Sequence, residues 1–356
     1  MTDIFLQFIY SYPILIIEVM FYEIILFSIA ITFERKRSLI RSQEVQQIHH
    51  GSVSRLAGLC ILIALFVGFL SYPFLIEREF INGLFFCFIP ILVITIFEDF
   101  HINLKPQYRI FAMLIASFLL LFTTINSLPE ISLPIMGSML NLPYILPIFY
   151  VIAIIALING MNFIDGANGL LAMSLLCIFF GLGLTAYFVN DFNLLLIILF
   201  FSFPLFIFLS FNYPWGKIFM GDVGAYWFGW VVGTLAIYLY SKHEELLTWS
   251  VPLLLFYPTM EVVFSFFRKV FQKKSPFNPD AYHLHLKIYF MLNHYFKHHP
   301  QRANNLVMPL LTFFWFTPPI LSALFYQNLL MTLLALIFFI VLYLSLYWFI
   351  PSAPSD

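Results

Sequence analysis

The chain has 356 residues, of which 62% are hydrophobic and only 10% are charged, and its formal net charge at pH 7 is -1. A water-soluble protein of this length could not bury so much apolar surface, so the composition excludes a soluble enzyme and favours an integral membrane protein. Cys60, Cys87 and Cys177 all lie inside apolar runs, which is typical of small buried side chains rather than of disulfides or a metal site.

Apolar runs of about 20 residues predict roughly eleven membrane-spanning helices. The runs are continuously apolar and do not alternate with a period of two, which favours helices over strands. The predicted spans are residues 11–33, 56–76, 80–97, 108–125, 143–158, 168–188, 193–211, 224–240, 247–267, 305–325 and 328–350. The predicted fold is therefore an all-α polytopic membrane protein in which residues 1–356 form a single membrane domain. The first span lacks a small-residue cleavage site and is expected to stay as an anchor.

Lysine and arginine residues are distributed unevenly between the loops. All but two of the 17 fall in alternate loops, and the two exceptions are Arg78 and Lys242. Because cations collect on the cytoplasmic side of membrane proteins, the N-terminus is predicted to lie outside and the C-terminus in the cytoplasm. The predicted cytoplasmic loops also hold nearly all the candidate site residues, and they cover about residues 34–55, 98–109, 159–168, 212–223 and 268–304.

The first candidate site in chain order is the acidic pair Glu98–Asp99 at the end of a predicted span. Two adjacent carboxylates repel each other, so either one holds a proton near neutral pH or both face a cation. The pair is interpreted either as a base or substrate-positioning pair, or as a water-facing helix end. Lys105 and Arg109 follow, and they suit phosphate contacts as well as they suit anchoring at the cytoplasmic surface.

The second candidate is the polar run of residues 159–170, NGMNFIDGANGL, which interrupts apolar sequence. Its polar side chains are spaced by three residues, and they are Asn159, Asn162, Asp165 and Asn168. On a helix this spacing forms a polar stripe, and the glycines permit close approach of a ligand. Close helix packing with interhelical hydrogen bonds is the alternative, but four polar side chains on one stripe are costly without a ligand.

The third candidate is Asp222, which stands between glycines at the start of an apolar run. One interpretation is a carboxylate that interacts with the dipole at a helix N-terminus. The other is a ligand for a hard cation, because Mg²⁺ prefers a few carboxylates together with substrate phosphates. Asn212, Lys217 and Phe219 precede Asp222 in a loop that would hold a nucleotide.

The fourth candidate is the loop of residues 275–289, which contains His283 and His285. Their spacing of two does not suit a helical zinc site, so the interpretations are a phosphate-binding or proton-handling pair, or a solvated loop. Glu261 lies in the ninth predicted span, where acids are usually functional or paired; the alternative is that its carboxylate reaches the cytoplasmic surface.

Together, these four motifs resemble the polyprenyl-phosphate N-acetylhexosamine-1-phosphate transferases, in the same order from about residue 34 to 289. The family's motifs are an acidic pair, Asn-x-x-Asn-x-x-Asp-Gly-x-(Asp/Asn)-Gly, Lys-x-Phe-Met-Gly-Asp-x-Gly and Ser-Pro-Phe-x-x-Asp-x-x-His-x-His. They are matched by residues 98–99, 159–169, 217–224 and 275–285. The last motif is closer to the bacterial branch that starts O-antigen and related glycans than to the branch that uses UDP-MurNAc-pentapeptide. Glu98 replaces the usual Asp, and Leu286 replaces a third histidine.

The resemblance implies an Mg²⁺-dependent enzyme (with Mn²⁺ as the alternative) at the cytoplasmic face of the bacterial inner membrane. Its partners would be the lipid bilayer, undecaprenyl phosphate and a UDP-N-acetylhexosamine, UDP-GlcNAc by default, with UMP released. A homodimer is left open, and no nucleic-acid partner is expected. The rival hypotheses are a secondary transporter, which would need sites near the middle of the membrane, and an inactive lipid-binding relative.

The resemblance also implies a role for each candidate residue. The acidic residues Asp99, Glu98 and Asp165 would be catalytic, and Asp222 and Asn168 would be the metal ligands. The nucleotide would be held by Asn162, Asn212, Phe219 and Lys217. The phosphates would be contacted by Arg55, Lys105, His283 and His285.

Overall fold

The structure is a computed structural model that describes residues 12–37, 53–71, 77–99, 104–132, 137–275, 281–297 and 299–351. The described part of the chain is helical, and its strand-like pairing is limited to an isolated parallel bridge between Ser54 and Ile218. The all-α fold is therefore confirmed. In chain order the helices are α1 (Tyr12–Arg37), α2 (Ala57–Ser71), α3 (Arg78–Asp99), α4 (Pro106–Thr123), α5 (Gly137–Leu140), α6 (Ile145–Ile164), α7 (Leu170–Phe188), α8 (Phe192–Ser202), α9 (Pro204–Asn212), α10 (Gly221–Lys242), α11 (Ser250–Leu254), α12 (Phe256–Phe271), α13 (Leu284–Tyr295), α14 (Pro300–Leu310), α15 (Thr312–Leu324) and α16 (Leu329–Phe349).

Within the described ranges, nine helical segments are long and apolar enough to cross a membrane. Two of them are joined pairs, α8 with α9 and α14 with α15. The two further predicted spans fall on α2, which has 15 residues, and on α11 with α12, which Leu255 separates. The chain is thus a multi-pass membrane protein, while the count of eleven spans and the orientation of the termini stay predictions.

Helix α10 lies at the centre of the bundle. In its most apolar stretch 94% of the residues are buried, compared with 17% for α16. The neighbouring helices approach its backbone closely, because a Cβ atom at Gly58 of α2 would lie 2.1 Å from the Cα atom of Gly224. A Cβ atom at Gly229 would lie 2.8 Å from the Cα atom of Ile158 in α6. These glycine contacts pack the first turn of α2 and the last two turns of α6 against the N-terminal half of α10.

Helix α12 packs against α6 in the same way, since a Cβ atom at Gly160 would lie 2.4 Å from the carbonyl oxygen of Pro258. Helix α13 lies within the region predicted as the loop of residues 268–304. It is fixed to the end of α16 by Lys287, whose Nζ donates a hydrogen bond of 2.6 Å to the carbonyl oxygen of Tyr347. The helices that carry Glu261 and the two histidines are therefore held beside the last turn of α6.

Candidate active site

The segment before α2 runs alongside the segment before α10. The backbone N–H of Phe219 donates to the oxygen of Ser54 at 2.8 Å, and the N–H of Gly58 donates to the oxygen of Met220 at 2.9 Å. This pairing places Arg55 beside the first turn of α10, where its Nη2 lies 3.7 Å from Oδ1 of Asp222. Two residues that are 167 positions apart in sequence are thus joined by the backbone of their loops.

The last turn of α6 contacts the first turn of α10 through two polar side chains. Asn162 donates from Nδ2 to Oδ1 of Asp222 at 2.7 Å. Asp165, just beyond the helix, accepts from the backbone N–H of Gly221 at 3.2 Å. Met220 stands at the N-cap, so Asp222 lies inside the first turn, where the helix dipole favours negative charge. The structure therefore brings three of the predicted site residues, Asn162, Asp165 and Asp222, to one place.

Glu98, at the end of α3, joins the same cluster. Its Oε1 lies 3.2 Å from Nε of Arg109, and Nη1 of Arg109 donates to the hydroxyl of Tyr226 at 3.5 Å. Its other oxygen, Oε2, is buried and has no hydrogen-bond partner among the described residues. Glu98 is also close enough to Asp222 and Arg55 to interact electrostatically with both.

The side chain of Asp99 lies outside the described part of the structure, so its catalytic role stays a prediction. Tyr226 was not considered from the sequence, and Arg109 was considered only for phosphate contacts or for anchoring at the surface, not as a partner of Glu98. A signal was present for Tyr226, because it follows Asp222 by four residues on α10 and such residues share a helix face. Arg109 lies in the first turn of α4, in a predicted cytoplasmic loop region where cations are expected. Its position soon after the acidic pair was the available signal.

Asn168 and Asn212 join the loops around the cluster. Asn212 accepts from the N–H of Gly169 at 2.6 Å and donates from Nδ2 to the oxygen of Ile218 at 2.9 Å. Asn168 donates from Nδ2 to Oδ1 of Asn305 at 2.9 Å, while its own Oδ1 is buried and makes no hydrogen bond to the described residues. Both amides stabilise the backbone beside the site, and their predicted roles in metal and nucleotide binding stay predictions.

The remaining predicted contacts lie around this cluster. Lys217 is exposed, with Nζ 5.0 Å from the centre of the Trp215 ring, whereas Phe219 is buried to 8% exposure. Lys105 is exposed at the N-cap of α4, one turn before Arg109. Nucleotide binding by Lys217 and Phe219, and phosphate binding by Lys105, stay predictions.

The histidine pair lies over the end of α6, and Glu261 holds it. Nδ1 of His283 lies 3.0 Å from Oε2 of Glu261, and Nδ1 of His285 lies 3.5 Å from Oε1. The His283 ring packs 4.6 Å from the ring of Phe163. Glu261 is only 1% exposed, so its carboxylate does not reach the surface, and the interpretation of a paired acid is the correct one. Asp280 lies outside the described residues.

Oxygen-donating side chains dominate the cluster at α10. Within the described residues no three His, Cys, Asp or Glu side chains converge into a complete metal cage. Mg²⁺ does not require one, because it binds through one or two carboxylates and keeps its other positions for water and phosphates. The hard donors of Asp222 and the unpartnered Oε2 of Glu98 fit that ion.

Comparison with known proteins identifies similar sequences. The sequence profile described as glycosyl transferase family 4 matches residues 81–240, from α3 to α10. The undecaprenyl-phosphate alpha-N-acetylglucosaminyl 1-phosphate transferase of Thermotoga maritima is 26% identical over 259 residues, 72% of this chain and 75% of the relative. A probable undecaprenyl-phosphate N-acetylglucosaminyl 1-phosphate transferase of Bacillus subtilis is 25% identical over 258 residues, 70% of this chain and 69% of the relative. The phospho-N-acetylmuramoyl-pentapeptide-transferase of Streptococcus agalactiae is 29% identical over 146 residues, 41% of this chain and 44% of the relative.

Proposed function

The chain belongs to glycosyl transferase family 4, that of the polyprenyl-phosphate N-acetylhexosamine-1-phosphate transferases, and from this premise we propose its reaction. It transfers an N-acetylhexosamine 1-phosphate from a UDP-sugar to undecaprenyl phosphate and releases UMP. UDP-GlcNAc is the proposed donor, since the relatives that align over about 70% of the chain are named for N-acetylglucosaminyl transfer. The lipid product would start an O-antigen or a related cell-surface glycan.

The observation that carries the proposal is the cluster at the N-terminus of α10. Residues from four separate helices or their preceding loops meet there, and they include the carboxylates of Asp222 and Glu98 and the guanidinium groups of Arg55 and Arg109. Both substrates are anions, so their approach needs nearby cations and the positive end of a helix dipole. The cluster supplies both at the end of a helix that is long enough to cross the membrane, where a lipid and a cytosolic nucleotide can meet.

In the proposed reaction an oxygen of the lipid phosphate attacks the β-phosphorus of the UDP-sugar. A new phosphorus–oxygen bond forms to the lipid, and the bond between the β-phosphorus and the oxygen that bridges to the α-phosphate breaks. The electron pair leaves with UMP. Arg55 is proposed to offset the charge that develops on the transferred group, and its partly exposed guanidinium beside Asp222 supports this role. Asp99 is proposed to position the lipid phosphate or to accept a proton from it, and this role rests on the resemblance alone.

Asp222 would hold Mg²⁺, with Glu98 as the second carboxylate within electrostatic reach and Asn168 as a further candidate ligand. When bound, the ion would polarise the phosphoryl oxygens and offset the repulsion between the two anionic substrates. Asn162 keeps the Asp222 carboxylate in place through its 2.7 Å hydrogen bond.

The proposal is tested by incubating the purified protein with Mg²⁺, undecaprenyl phosphate and a panel of UDP-sugars, and by measuring UMP and the lipid-linked sugar. The panel contains UDP-GlcNAc, UDP-GalNAc and a 6-deoxy N-acetylhexosamine analogue. We expect stoichiometric UMP and lipid product with UDP-GlcNAc, and loss of both when the metal is chelated. The absence of UMP with every donor would refute the transferase proposal.

The cytoplasmic placement of the site is a second part of the proposal. Asp222 and His283 must then lie on the same side of the membrane. Cysteine variants at these two positions, labelled in intact cells with a membrane-impermeant reagent, should both be protected until the cells are opened. Labelling of only one of them in intact cells would show that the two motifs cannot share a pocket.

A further inference from the structure

Glu261 is a buried carboxylate that the proposed reaction does not use directly, and it contacts both histidines of the pair. We propose that Glu261 is a positioning residue that accepts a hydrogen bond from Nδ1 of His283, lies beside Nδ1 of His285, and thereby sets where the His285 ring meets the turn at Asp165 and Gly166. The inference rests on the proposed function in one respect, because the substrate that this turn helps to bind is the diphosphate of the nucleotide sugar.

The two oxygens of Glu261 have different partners. Oε2 accepts from Nδ1 of His283 at 3.0 Å. Oε1 accepts from the hydroxyl of Tyr257 at 3.0 Å and lies 3.5 Å from Nδ1 of His285. Because the carboxylate is 1% exposed, water does not compete for these contacts. Tyr343 of α16 is the further titratable group within the electrostatic reach of Glu261.

A carboxylate that accepts a proton from Nδ1 decides which nitrogen of an imidazole carries the hydrogen. Free histidine can place it on either nitrogen, but beside Glu261 the Nδ1–H form is stabilised. Burial lowers the pKa of His285 although Glu261 acts in the opposite direction, so burial favours the neutral ring, and the carboxylate 3.5 Å from Nδ1 favours the tautomer with its hydrogen there. The choice of tautomer then fixes what the opposite edge of the ring, at Nε2, can do.

The Nε2 edge of His285 faces the turn that carries Asp165. A Cβ atom at Gly166 would lie only 3.0 Å from Nε2 of His285 and 3.4 Å from its Cδ2. Asp165, the preceding residue, accepts from the N–H of Gly221, which is the neighbour of Asp222. A continuous series of contacts therefore runs from Glu261 through His285 and Gly166 to the N-terminus of α10.

The first test measures the tautomers without any substrate. The full-length protein, labelled with ¹⁵N in its nine histidines, is compared with the Glu261→Gln variant by NMR. His283 is assigned by the loss of its signals in His283→Asn. We expect the proton of His283 on Nδ1 in the original protein and its displacement to Nε2, or exchange between the two, in Glu261→Gln. An unchanged tautomer would overturn the inference.

The second test is kinetic, and it separates positioning from a general loss of fold. Glu261→Gln should lower kcat/KM for the nucleotide sugar by about 10- to 100-fold, as the loss of a carboxylate behind a functional histidine does elsewhere. The change should appear as a higher KM for the nucleotide sugar, while the KM for undecaprenyl phosphate stays within about twofold. Ser265→Ala is the matched control, because Ser265 is buried one turn further along α12 and bonds Arg268 instead of a histidine.

Gly166→Ala supplies an independent variant that leaves Glu261 in place. Its new methyl group would displace the His285 ring from the opposite side, so it should raise the same KM. In the double variant Glu261→Gln/Gly166→Ala, the KM for the nucleotide sugar should rise by less than the product of the two single increases. Equal KM values for Glu261→Gln and the original protein would overturn the inference. If the original protein itself released no UMP, the proposed function would fail while the tautomer measurement would still decide the role of Glu261.

Discussion

The two ends of α10 carry polar clusters that differ in how completely their charges are paired. At the Lys242 end, Nζ of Lys242 lies 2.9 Å from Glu77 and 3.1 Å from Asp191. His243 contacts the same Asp191 carboxylate at 3.1 Å, and the hydroxyl of Tyr238 donates to Glu77. The carboxylate oxygens of Glu77 and Asp191 therefore all have hydrogen-bond donors within the protein.

The Asp222 end differs in leaving one carboxylate oxygen over. Glu98 keeps one buried oxygen without a hydrogen-bond partner among the described residues. The nearest guanidinium nitrogen of Arg55 is 3.7 Å from Asp222, a longer contact than any of the pairs at Lys242. Among the described residues, three carboxyl groups, including that of Asp165, lie around two arginines at this end.

A protein gains stability from a cluster whose partners are complete, and it loses some by keeping a buried carboxylate oxygen unpaired. The difference supports the proposal that the Asp222 end binds a cation or ligand from outside, whereas the Lys242 end holds helices together. The two ends are joined by one helix of 22 residues, about 33 Å long at 1.5 Å per residue. Variants at each end should then separate stability from activity.

The largest effect is expected for Asp222→Ala. Removal of this carboxylate should lower the rate of UMP release by at least about 100-fold, because the variant would lose the ligand proposed to hold Mg²⁺ beside the reacting phosphates. The free energy of unfolding should fall by only about 1 kcal/mol, the usual contribution of one hydrogen bond such as that from Asn162. Glu77→Gln is the matched control, because it neutralises a carboxylate at the other end of α10. If Asp222→Ala kept near-normal turnover, the distinction between the two ends would be lost.

The second effect concerns stability and is expected for Lys242→Met. This change leaves the carboxylates of Glu77 and Asp191 without their shared cation, and we expect a loss of about 1–2 kcal/mol in the free energy of unfolding. The measurement is the melting temperature in detergent, with UMP release assayed well below it. Turnover should be preserved there. A variant that melted normally but turned over slowly would assign a functional role to the Lys242 end.

Much of the fold followed from the sequence because a membrane imposes long apolar helices. The nine segments of the structure that suit membrane crossing all coincide with predicted spans. The interruptions were not foreseen, since the breaks at Phe203, Leu255 and Leu311 lie inside predicted spans, although Pro204 directly after Phe203 is a local signal for the first of them. A hydropathy pattern measures the length of an apolar run and is insensitive to where the hydrogen-bonding pattern of the backbone changes.

The site was predictable in its members more than in its contacts. Asn162 and Asp165 were expected on one polar stripe, and the structure adds that both contact the first turn of α10, although the helix ends at Ile164 and the stripe does not continue. Asn168 therefore turns toward Asn305, which no local pattern indicates. The pairing of Glu261 with two histidines also joins segments 22 and 24 residues apart, and such contacts depend on how α12 packs on α6.

The third prediction concerns Glu98→Asp, which tests the length of the side chain required at the Asp222 end. The shorter side chain would draw its carboxylate away from Arg109, whose Nε is 3.2 Å from Glu98. Asp is the residue that the family usually has at this position, so the rate of UMP release should stay within about tenfold, or ~1.4 kcal/mol. Arg109→Lys, which keeps the charge but loses the fork geometry, is the companion variant. A complete loss in Glu98→Asp would show that the longer side chain is required.

The smallest effect is a pH dependence of stability at the Lys242 end. Burial acts to raise the pKa of Asp191, but the N–H of Leu194 together with His243 and Lys242 outweighs it, so the pKa lies below its ordinary value. A carboxyl group with a lowered folded-state pKa stabilises the fold above its unfolded-state pKa of about 3.9. That contribution is lost as the pH falls through the folded-state pKa.

Asp191→Asn isolates this contribution, because asparagine retains the capping of α8 that Asp191 provides through Leu194. Melting temperatures measured from pH 6 downward should converge for the two proteins as the pH falls below about 4, since protonation removes from the original protein what the variant already lacks. Above that pH the original protein should melt at the higher temperature. Parallel curves over the whole range would mean that Asp191 gains nothing from its charge, and the Lys242 end would then be held by packing and neutral hydrogen bonds alone.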